Sequence, residues 1–176
     1  MDWIVNLLLI LLWVIVATAA WAGWSAAPWV PSKTKYRQLF LDRIPVRPGD
    51  KVYDLGCGTG TVLIDVLKKY PNVQAIGVEL SLIPYFIAKV RSFSRPNMHV
   101  RFGNLFKTDL QEADVVFIYL LAKAYPKLLK KLKAELNHAA LVVLEAWPFK
   151  DLEPWRTIKE GPVLPIHLYR GEDLRK

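Results

Sequence analysis

The residues best suited to chemistry lie in one short segment, Lys51 to Thr61. An apolar run there meets glycines at every second position, Gly56, Gly58 and Gly60, and a helical pattern follows directly. Glycines at such a junction let the chain turn sharply from strand into helix, and they let backbone amides approach a bound molecule closely. The segment predicts a ligand-binding loop at the end of a strand; the alternative is a tight turn that binds nothing.

Asp54 precedes the first glycine by two positions and indicates what kind of ligand the loop accepts. A carboxylate in this place repels a pyrophosphate, whereas it attracts a molecule that carries an ammonium group and a sulfonium. The spacing G-x-G-x-G also differs from the G-x-G-x-x-G spacing of dinucleotide-binding loops. Both features favour S-adenosylmethionine over NAD as the cofactor.

Two later residues fit the nucleoside part of such a cofactor. Glu79 ends the next apolar run, 19 residues after Gly60, where a carboxylate can accept both hydroxyls of a ribose. Asn104 follows a third apolar run and can bind the adenine amino edge while Leu105 packs on the ring; a plain turn asparagine is the alternative. The predicted cofactor-binding residues are therefore Asp54, Gly56, Cys57, Gly58, Gly60, Thr61, Glu79, Leu80, Asn104 and Leu105.

Strand-like and helix-like runs alternate between Lys51 and Glu145, which predicts an α/β fold with a parallel sheet and helices on both faces. Two more strands, predicted to pair in antiparallel fashion, complete a doubly wound, mostly parallel, seven-stranded sheet. The predicted strands are Lys51 to Leu55, Val73 to Leu80, Met98 to Phe102, Asp114 to Tyr119, Ala140 to Glu145, Trp155 to Lys159 and Pro165 to Arg170. The predicted helices are Lys33 to Ile44 with Ser32 as its cap, Thr59 to Tyr70, Ser81 to Phe93 and Ala124 to Leu136.

In an open sheet of this kind, ligands bind beyond the carboxyl ends of the strands. Five predicted strand ends offer a polar group at that edge: Asp54, Glu79, Asn104, Tyr119 and Glu145. We expect these five residues to surround one active site.

We expect the first 31 residues to form an anchor and linker, and residues 32–176 to form the second, folded domain. Trp3 to Trp24 is a run of 22 residues without a charge, long enough to cross a bilayer as a helix. A cleaved signal peptide is the rival interpretation, but Asp2 and the absence of Lys or Arg before the run argue against it. Basic residues that follow the run place the domain in the cytosol: Lys33, Lys35, Arg37, Arg43 and Arg47.

The remaining composition limits the partners. After the first 32 residues the chain holds 24 basic and 15 acidic residues, a net charge of +9 that suits an anionic bilayer, nucleic acid or an acidic protein. A nucleic-acid partner is not expected, because the lysines from Lys127 to Lys133 match a solvated helix face and no RNA-binding module is apparent. One cysteine and three isolated histidines give no metal site.

The glycine loop with Glu79 and Asn104 resembles the cofactor motifs of seven-strand S-adenosylmethionine-dependent methyltransferases. Further strings resemble the small membrane-anchored protein-lysine methyltransferases, which include mitochondrial enzymes that act on the ATP synthase c-subunit and the adenine nucleotide translocase. Ser81 stands where that family often has asparagine. The strings are Pro28-Trp-Val-Pro-Ser32, Pro48-Gly-Asp-Lys-Val-Tyr-Asp-Leu-Gly-Cys-Gly60, Gly77-Val-Glu-Leu80, Asn104-Leu-Phe106 and Trp147-Pro148.

The resemblance implies transfer of a methyl group to a lysine of a membrane-associated protein. Tyr119 and Glu145 are the candidates that orient the amine; alternatively, Tyr119 only walls the cofactor and Glu145 is an exposed strand-end acid. Tyr119-Leu-Leu-Ala122 replaces the Asn/Asp-Pro-Pro-Tyr string of adenine and glutamine methyltransferases, which argues against those substrates. Two other functions stay open: methylation of a lipid headgroup or quinone-like molecule, and a non-catalytic cofactor-binding module.

Overall fold

The computed structural model describes residues 2–26, 34–162 and 164–175, and Ser32 and the linker after residue 26 lie outside this range. Five α-helices and seven strands make up the described chain. The helices are α1 Asp2–Ser25, α2 Thr34–Arg43, α3 Thr61–Lys69, α4 Leu82–Ser92 and α5 Tyr125–Glu135. The strands are β1 Lys51–Leu55, β2 Gln74–Glu79, β3 Met98–Phe102, β4 Val115–Ile118, β5 Leu141–Glu145, β6 Arg156–Ile158 and β7 Ile166–Arg170.

The strands form one mixed sheet in the order β3-β2-β1-β4-β5-β7-β6. The first five are parallel to one another, and β7 runs antiparallel to both β5 and β6. The predicted seven-stranded α/β sheet and its antiparallel pair are confirmed. The sheet reverses its winding beside β1, because β2 and β3 lie on one side of it and β4 and β5 on the other.

Each face of the sheet packs against different helices. Buried Leu128 and Leu132 of α5 share a core cluster with Leu55 of β1, whereas Val62 of α3 shares another with Val52. Since side chains alternate along a strand, Asp54 projects to the same face as Val52, the α3 face. Glu145 and Tyr119 follow Val143 and Phe117 by two positions. The same alternation therefore places the side chains of Glu145 and Tyr119 on the α3 face.

Gly77 in β2 is needed because the space above it is already filled. A Cβ at this position would lie 2.6 Å from Cys57 Sγ and 2.6 Å from Leu63 Cδ1, and both side chains are buried. The absence of a side chain at Gly77 therefore lets the glycine loop and α3 sit directly on the sheet.

Replacing Gly77 with alanine is expected to lower the free energy of unfolding by about 1–3 kcal/mol, the usual cost of overpacking a core. Gly103→Ala is the matched control, since a Cβ there meets no atom within 4 Å. Thermal unfolding of the purified chain in detergent measures both variants. Equal melting temperatures for the two would show that the loop is not packed against β2 in this way.

The end of α1 packs against the domain. Ala22 and Ala26 are buried, the Leu121 amide donates to the Ala26 carbonyl at 3.3 Å, and Lys123 Nζ donates to the Gly23 carbonyl at 3.0 Å. Leu121 and Lys123 follow β4, so the helix ends beside the carboxyl edge of the sheet. By length and composition, the segment Trp3–Trp24 can cross a membrane.

Candidate active site

Asp54 is a buried acid that the described part of the chain leaves uncompensated. Asp54 is 3% exposed, and the charged groups that act on its carboxyl, Glu79 and Glu145, are both acids. Burial, followed by the neighbouring charges of Glu79 and Glu145, raises the pKa of Asp54 to about 8. Such an arrangement is costly unless a cation binds beside it, so the site fits the ammonium and sulfonium charges of S-adenosylmethionine.

Glu79 ties the glycine loop to the end of β2. It is only 6% exposed, so it is not an acid in solvent, and its Oε2 accepts from the Gly58 amide at 2.8 Å. Its Oε1 accepts from the amides of Leu80, at 2.9 Å, and Ser81, at 2.7 Å. A carboxylate accepts about four hydrogen bonds, so these three leave room for a ribose hydroxyl, and recognition of both hydroxyls stays a prediction.

The glycine loop follows a left-handed path that requires its glycines. The φ angles of Gly56, Gly58 and Gly60 are 90°, 53° and 75°. Its amides point into the protein: those of Gly56 and Cys57 donate to the Val78 carbonyl, and that of Gly60 donates to the Cys57 carbonyl. The Gly58 amide donates to the Glu79 carboxylate, so all four loop amides are bound within the protein. None of them is free to bind a phosphate, and the loop is therefore not a pyrophosphate-binding site.

The other predicted loop residues have specific environments. Cys57 is buried in the cluster with Leu63, and burial raises the pKa of its thiol well above the usual value. Any cofactor contact of Cys57 must therefore come from its backbone. Thr61 begins α3, and its hydroxyl lies 3.4 Å from a guanidinium nitrogen of Arg91, which also donates to the Thr59 carbonyl at 3.0 Å. Arg91 was not among the predicted site residues.

Asn104 has a turn role in the structure. Its Oδ1 accepts from the Phe106 amide at 2.9 Å and so caps the short 3₁₀ turn Leu105–Lys107. Its amide nitrogen is the group suited to donate to an adenine ring nitrogen, so recognition of adenine stays a prediction. Leu105 is 8% exposed and joins the core cluster on the α5 face, and its predicted stacking on the adenine ring also stays a prediction.

Glu145 ends β5 as a buried acid. It is 1% exposed, so the exposed strand-end alternative is wrong, and it lies close enough to Asp54 to raise the pKa of that carboxyl. Tyr119 is half-buried and packs against the cluster on the α3 face. The structure therefore brings Asp54, Glu79, Tyr119 and Glu145 to one edge and one face of the sheet.

Tyr125 is a neighbour of Glu145 that the sequence did not reveal. It begins α5, it is 4% exposed, and its hydroxyl has no hydrogen-bond partner among the described residues. Burial, followed by smaller contributions from the neighbouring Tyr169 and Glu145, raises its pKa. Its ring meets Phe149 edge-on at 5.4 Å, and Phe149 in turn lies 5.0 Å from Tyr169, so an aromatic row supports the loop after β5.

Ala146, directly after Glu145, has a strained backbone. Its φ of 83° lies in the left-handed region, and its amide donates to the Pro165 carbonyl at 2.9 Å. A non-glycine residue in this conformation costs about 1–2 kcal/mol, and such strain concentrates at functional sites. The sharp turn at Ala146 ends β5 directly after Glu145, so the acid stays at the edge of the sheet.

Residues 54–156 match the model of the ANTKMT methyltransferase domain, over more than half of the chain. The chain belongs to the ANTKMT methyltransferase family. A protein-lysine N-methyltransferase of Saccharolobus islandicus is 32% identical over 75% of this chain and 84% of the relative. A lysine N-methyltransferase of Xenopus laevis, named for the ATP synthase c-subunit, is 31% identical over 76% of this chain, which spans 59% of the length of that relative.

Solved structures of other methyltransferases share the fold of the domain. An RNA methyltransferase from Salinibacter ruber in complex with S-adenosyl-L-homocysteine has 25% sequence identity and a TM-score of 0.75, and the match covers 80% of this chain and 93% of that chain. Coclaurine N-methyltransferase bound to S-adenosyl-L-homocysteine has the same fold, with a TM-score of 0.54, 24% identity and coverage of 62% of this chain and 34% of that chain. This member of the family is therefore an S-adenosylmethionine-dependent methyltransferase of the class I, Rossmann-like fold.

Proposed function

We propose that this enzyme methylates a lysine of a membrane-associated protein while α1 anchors it in the same membrane. The observation that carries the proposal is the position of the end of α1. Ala26 and Gly23 are hydrogen-bonded to Leu121 and Lys123, directly beyond β4, at the edge of the sheet where the acids meet. An anchor that ends beside an active site holds that site next to substrates in the bilayer and raises their effective concentration.

The names of the relatives support lysine as the acceptor. The Saccharolobus relative is named for protein-lysine methylation, and the Xenopus and mouse relatives are named for a lysine of the ATP synthase c-subunit. The mouse relative is 29% identical, and this chain spans 54% of its length. We propose the same reaction for this chain, methylation of a lysine, with a membrane protein as the acceptor.

In the proposed reaction the bound cofactor supplies a methyl group on a positively charged sulfur. Asp54 faces the positive charges, and Glu79 accepts a ribose hydroxyl. The acceptor amine must be neutral so that its lone pair can form the new N–C bond as the C–S bond breaks. At a pKa of about 10.4, only about one lysine in 2,500 is neutral at pH 7, a penalty of roughly 4–5 kcal/mol.

We assign to Glu145 and Tyr119 the task of offsetting this free-energy penalty. The Glu145 carboxylate takes the proton that leaves the amine, and the Tyr119 hydroxyl orients the nitrogen lone pair toward the methyl carbon. Both side chains project to the face that also carries Asp54. Burial of the site desolvates the amine and further favours its neutral form.

The division of the chain follows from the same proposal. Residues 1–31 anchor and link, residues 32–176 form the methyltransferase domain, and the basic residues after the span keep the domain in the cytosol. Retention of the anchor is supported by the burial of Ala22 and Ala26, because a cleaved segment would expose the apolar surface that these residues cover. If the anchor is retained, mass spectrometry of the purified protein should give the mass of the full-length chain.

The test incubates membranes from cells that lack the protein with the purified chain and a labelled methyl donor. We expect label in a protein band, and acid hydrolysis of that band to give methyl-lysine. Label in the organic extract would instead show a lipid or quinone acceptor, and label in RNA would show the acceptor named for the Salinibacter neighbour. No label in any fraction, with cofactor binding intact, would indicate a non-catalytic module; Asp54→Asn serves as the inactive control.

A further inference from the structure

The outer face of α4 is an exposed apolar stripe. Four large side chains of α4 and that of Phe93, which caps its end, recur at helical spacing and are exposed: Ile83 54%, Phe86 58%, Ile87 40%, Val90 63% and Phe93 76%. The opposite face of α4 is buried against the sheet by Ala88 and Ser92. Contiguous exposed stripes of this kind mark surfaces that contact a partner or a membrane.

The start of α4 touches the anchor helix, which points to the bilayer as the occupant. The Leu82 amide donates to Thr18 Oγ1 at 3.5 Å. Thr18 lies six residues before Trp24, so this contact is about 9 Å below the end of the span along the helix axis. Interfacial helices bury their apolar faces about 5–10 Å into the boundary between headgroups and acyl chains, the same depth.

The charge around the stripe also suits a bilayer. Residues 80–97, which include α4 and the turn after it, contain three basic residues and no acid: Lys89, Arg91 and Arg95. Basic residues beside an apolar helix face attract anionic headgroups, each by about 1 kcal/mol near the surface.

We propose that α4 inserts its apolar stripe into the headgroup region of the membrane that α1 crosses, as a second, interfacial contact. The inference rests on the proposed anchor. Two contacts fix the orientation of the domain, whereas a single helix leaves it free to tilt. Because Glu79 binds the Ser81 amide at the start of α4, and Arg91 binds the Thr59 carbonyl, the interfacial helix is joined directly to the cofactor loop. The active-site edge is thereby held at the level of the lipid headgroups.

The test uses a fluorescent thiol probe at chosen positions. Cys57 is 6% exposed and resists labelling, so the variants Phe86→Cys and Val90→Cys each carry one reactive thiol. Lys130→Cys places the control probe on the solvent side of α5, which packs on the other face of the sheet. The labelled full-length proteins are reconstituted into vesicles of phosphatidylcholine and phosphatidylglycerol that contain doxyl-labelled lipid.

We expect doxyl lipid to quench the probes at positions 86 and 90 at least about twofold more than the probe at position 130, with the strongest quenching from doxyl groups near the headgroups. Equal quenching at all three positions, in protein that floats with the vesicles, would overturn the α4 contact and leave the anchor intact. Protein that does not float would overturn the anchor and the inference together. A blue-shifted probe at 86 that lipid does not quench would show that protein covers the stripe, which also overturns the proposal. Unchanged cofactor affinity confirms that each variant is folded.

Discussion

Replacing Asp54 with asparagine is expected to weaken binding of S-adenosylmethionine by about 100-fold to 4,000-fold. The carboxylate is 3% exposed, so its attraction to the bound positive charges is poorly screened by solvent. Loss of one partner from a buried ion pair costs about 3–5 kcal/mol, and each 1.4 kcal/mol corresponds to a tenfold change in affinity. Calorimetric titration of the purified chain measures the effect, and the exposed acid Asp151, changed to asparagine, is the control.

The same substitution has an opposite effect on the ligand-free protein. The pKa of Asp54 is about 8 in the folded chain and near 3.8 in the unfolded chain. Between these values the folded state holds a proton that the unfolded state has lost, so the free energy of unfolding falls as the pH rises from about 4 to about 8. Asp54→Asn removes this pH-dependent fall in the free energy of unfolding, so the variant is expected to melt at a higher temperature at pH 8. The same variant is expected to bind less cofactor.

The pH dependence of cofactor binding provides the decisive comparison. Because the cationic cofactor favours the ionised Asp54, its affinity for the unchanged enzyme is expected to rise between pH 6 and pH 8, by up to about tenfold per pH unit, and then to level off. The Asp54→Asn variant lacks this rise. A variant that keeps both the affinity and the pH dependence would show that Asp54 does not face the positive charges.

The local pattern of the sequence predicted the sheet well because the strands are short apolar runs bounded by turn residues. The bounds of β1 and β3 agree with the prediction, and the antiparallel pair after β5 was also found. The start of α3 was predicted two residues early, at Thr59. Gly60 adopts a left-handed conformation, with φ of 75°, so the helix cannot include it, and a helical pattern alone does not show this.

The candidate site was only partly predictable, because its geometry depends on how strands align. A strand end can be recognised locally, but that Asp54, Glu79 and Glu145 share one face follows from the parity of each strand and from the register between neighbours. Tyr125 was missed because it begins a helix and resembles an ordinary core aromatic. Gly77 was missed as a packing position because its neighbour Cys57 is distant in sequence.

Replacing Glu145 with glutamine is expected to lower kcat by about 100-fold to 10,000-fold, the usual contribution of a positioned proton acceptor. Glutamine keeps the size of the side chain but cannot take the proton that the lysine amine must lose. Because the reaction then depends on the small neutral fraction of the bound amine, kcat of the variant should recover steeply as the pH rises toward 10. The affinity for S-adenosylmethionine, measured by calorimetry, should change by only a few-fold, since Asp54 and Glu79 remain.

Tyr119→Phe separates proton acceptance from orientation in the same assay. It removes one hydroxyl on the same face of the site, and we expect a smaller fall in kcat, about tenfold, with an unchanged pH profile. A Glu145→Gln variant with normal kcat and a normal pH profile would show that the acid at the end of β5 serves only to raise the pKa of Asp54. In that case desolvation of the lysine by the buried edge of the sheet would have to supply the neutral amine, and Tyr119→Phe would then have the larger effect of the two.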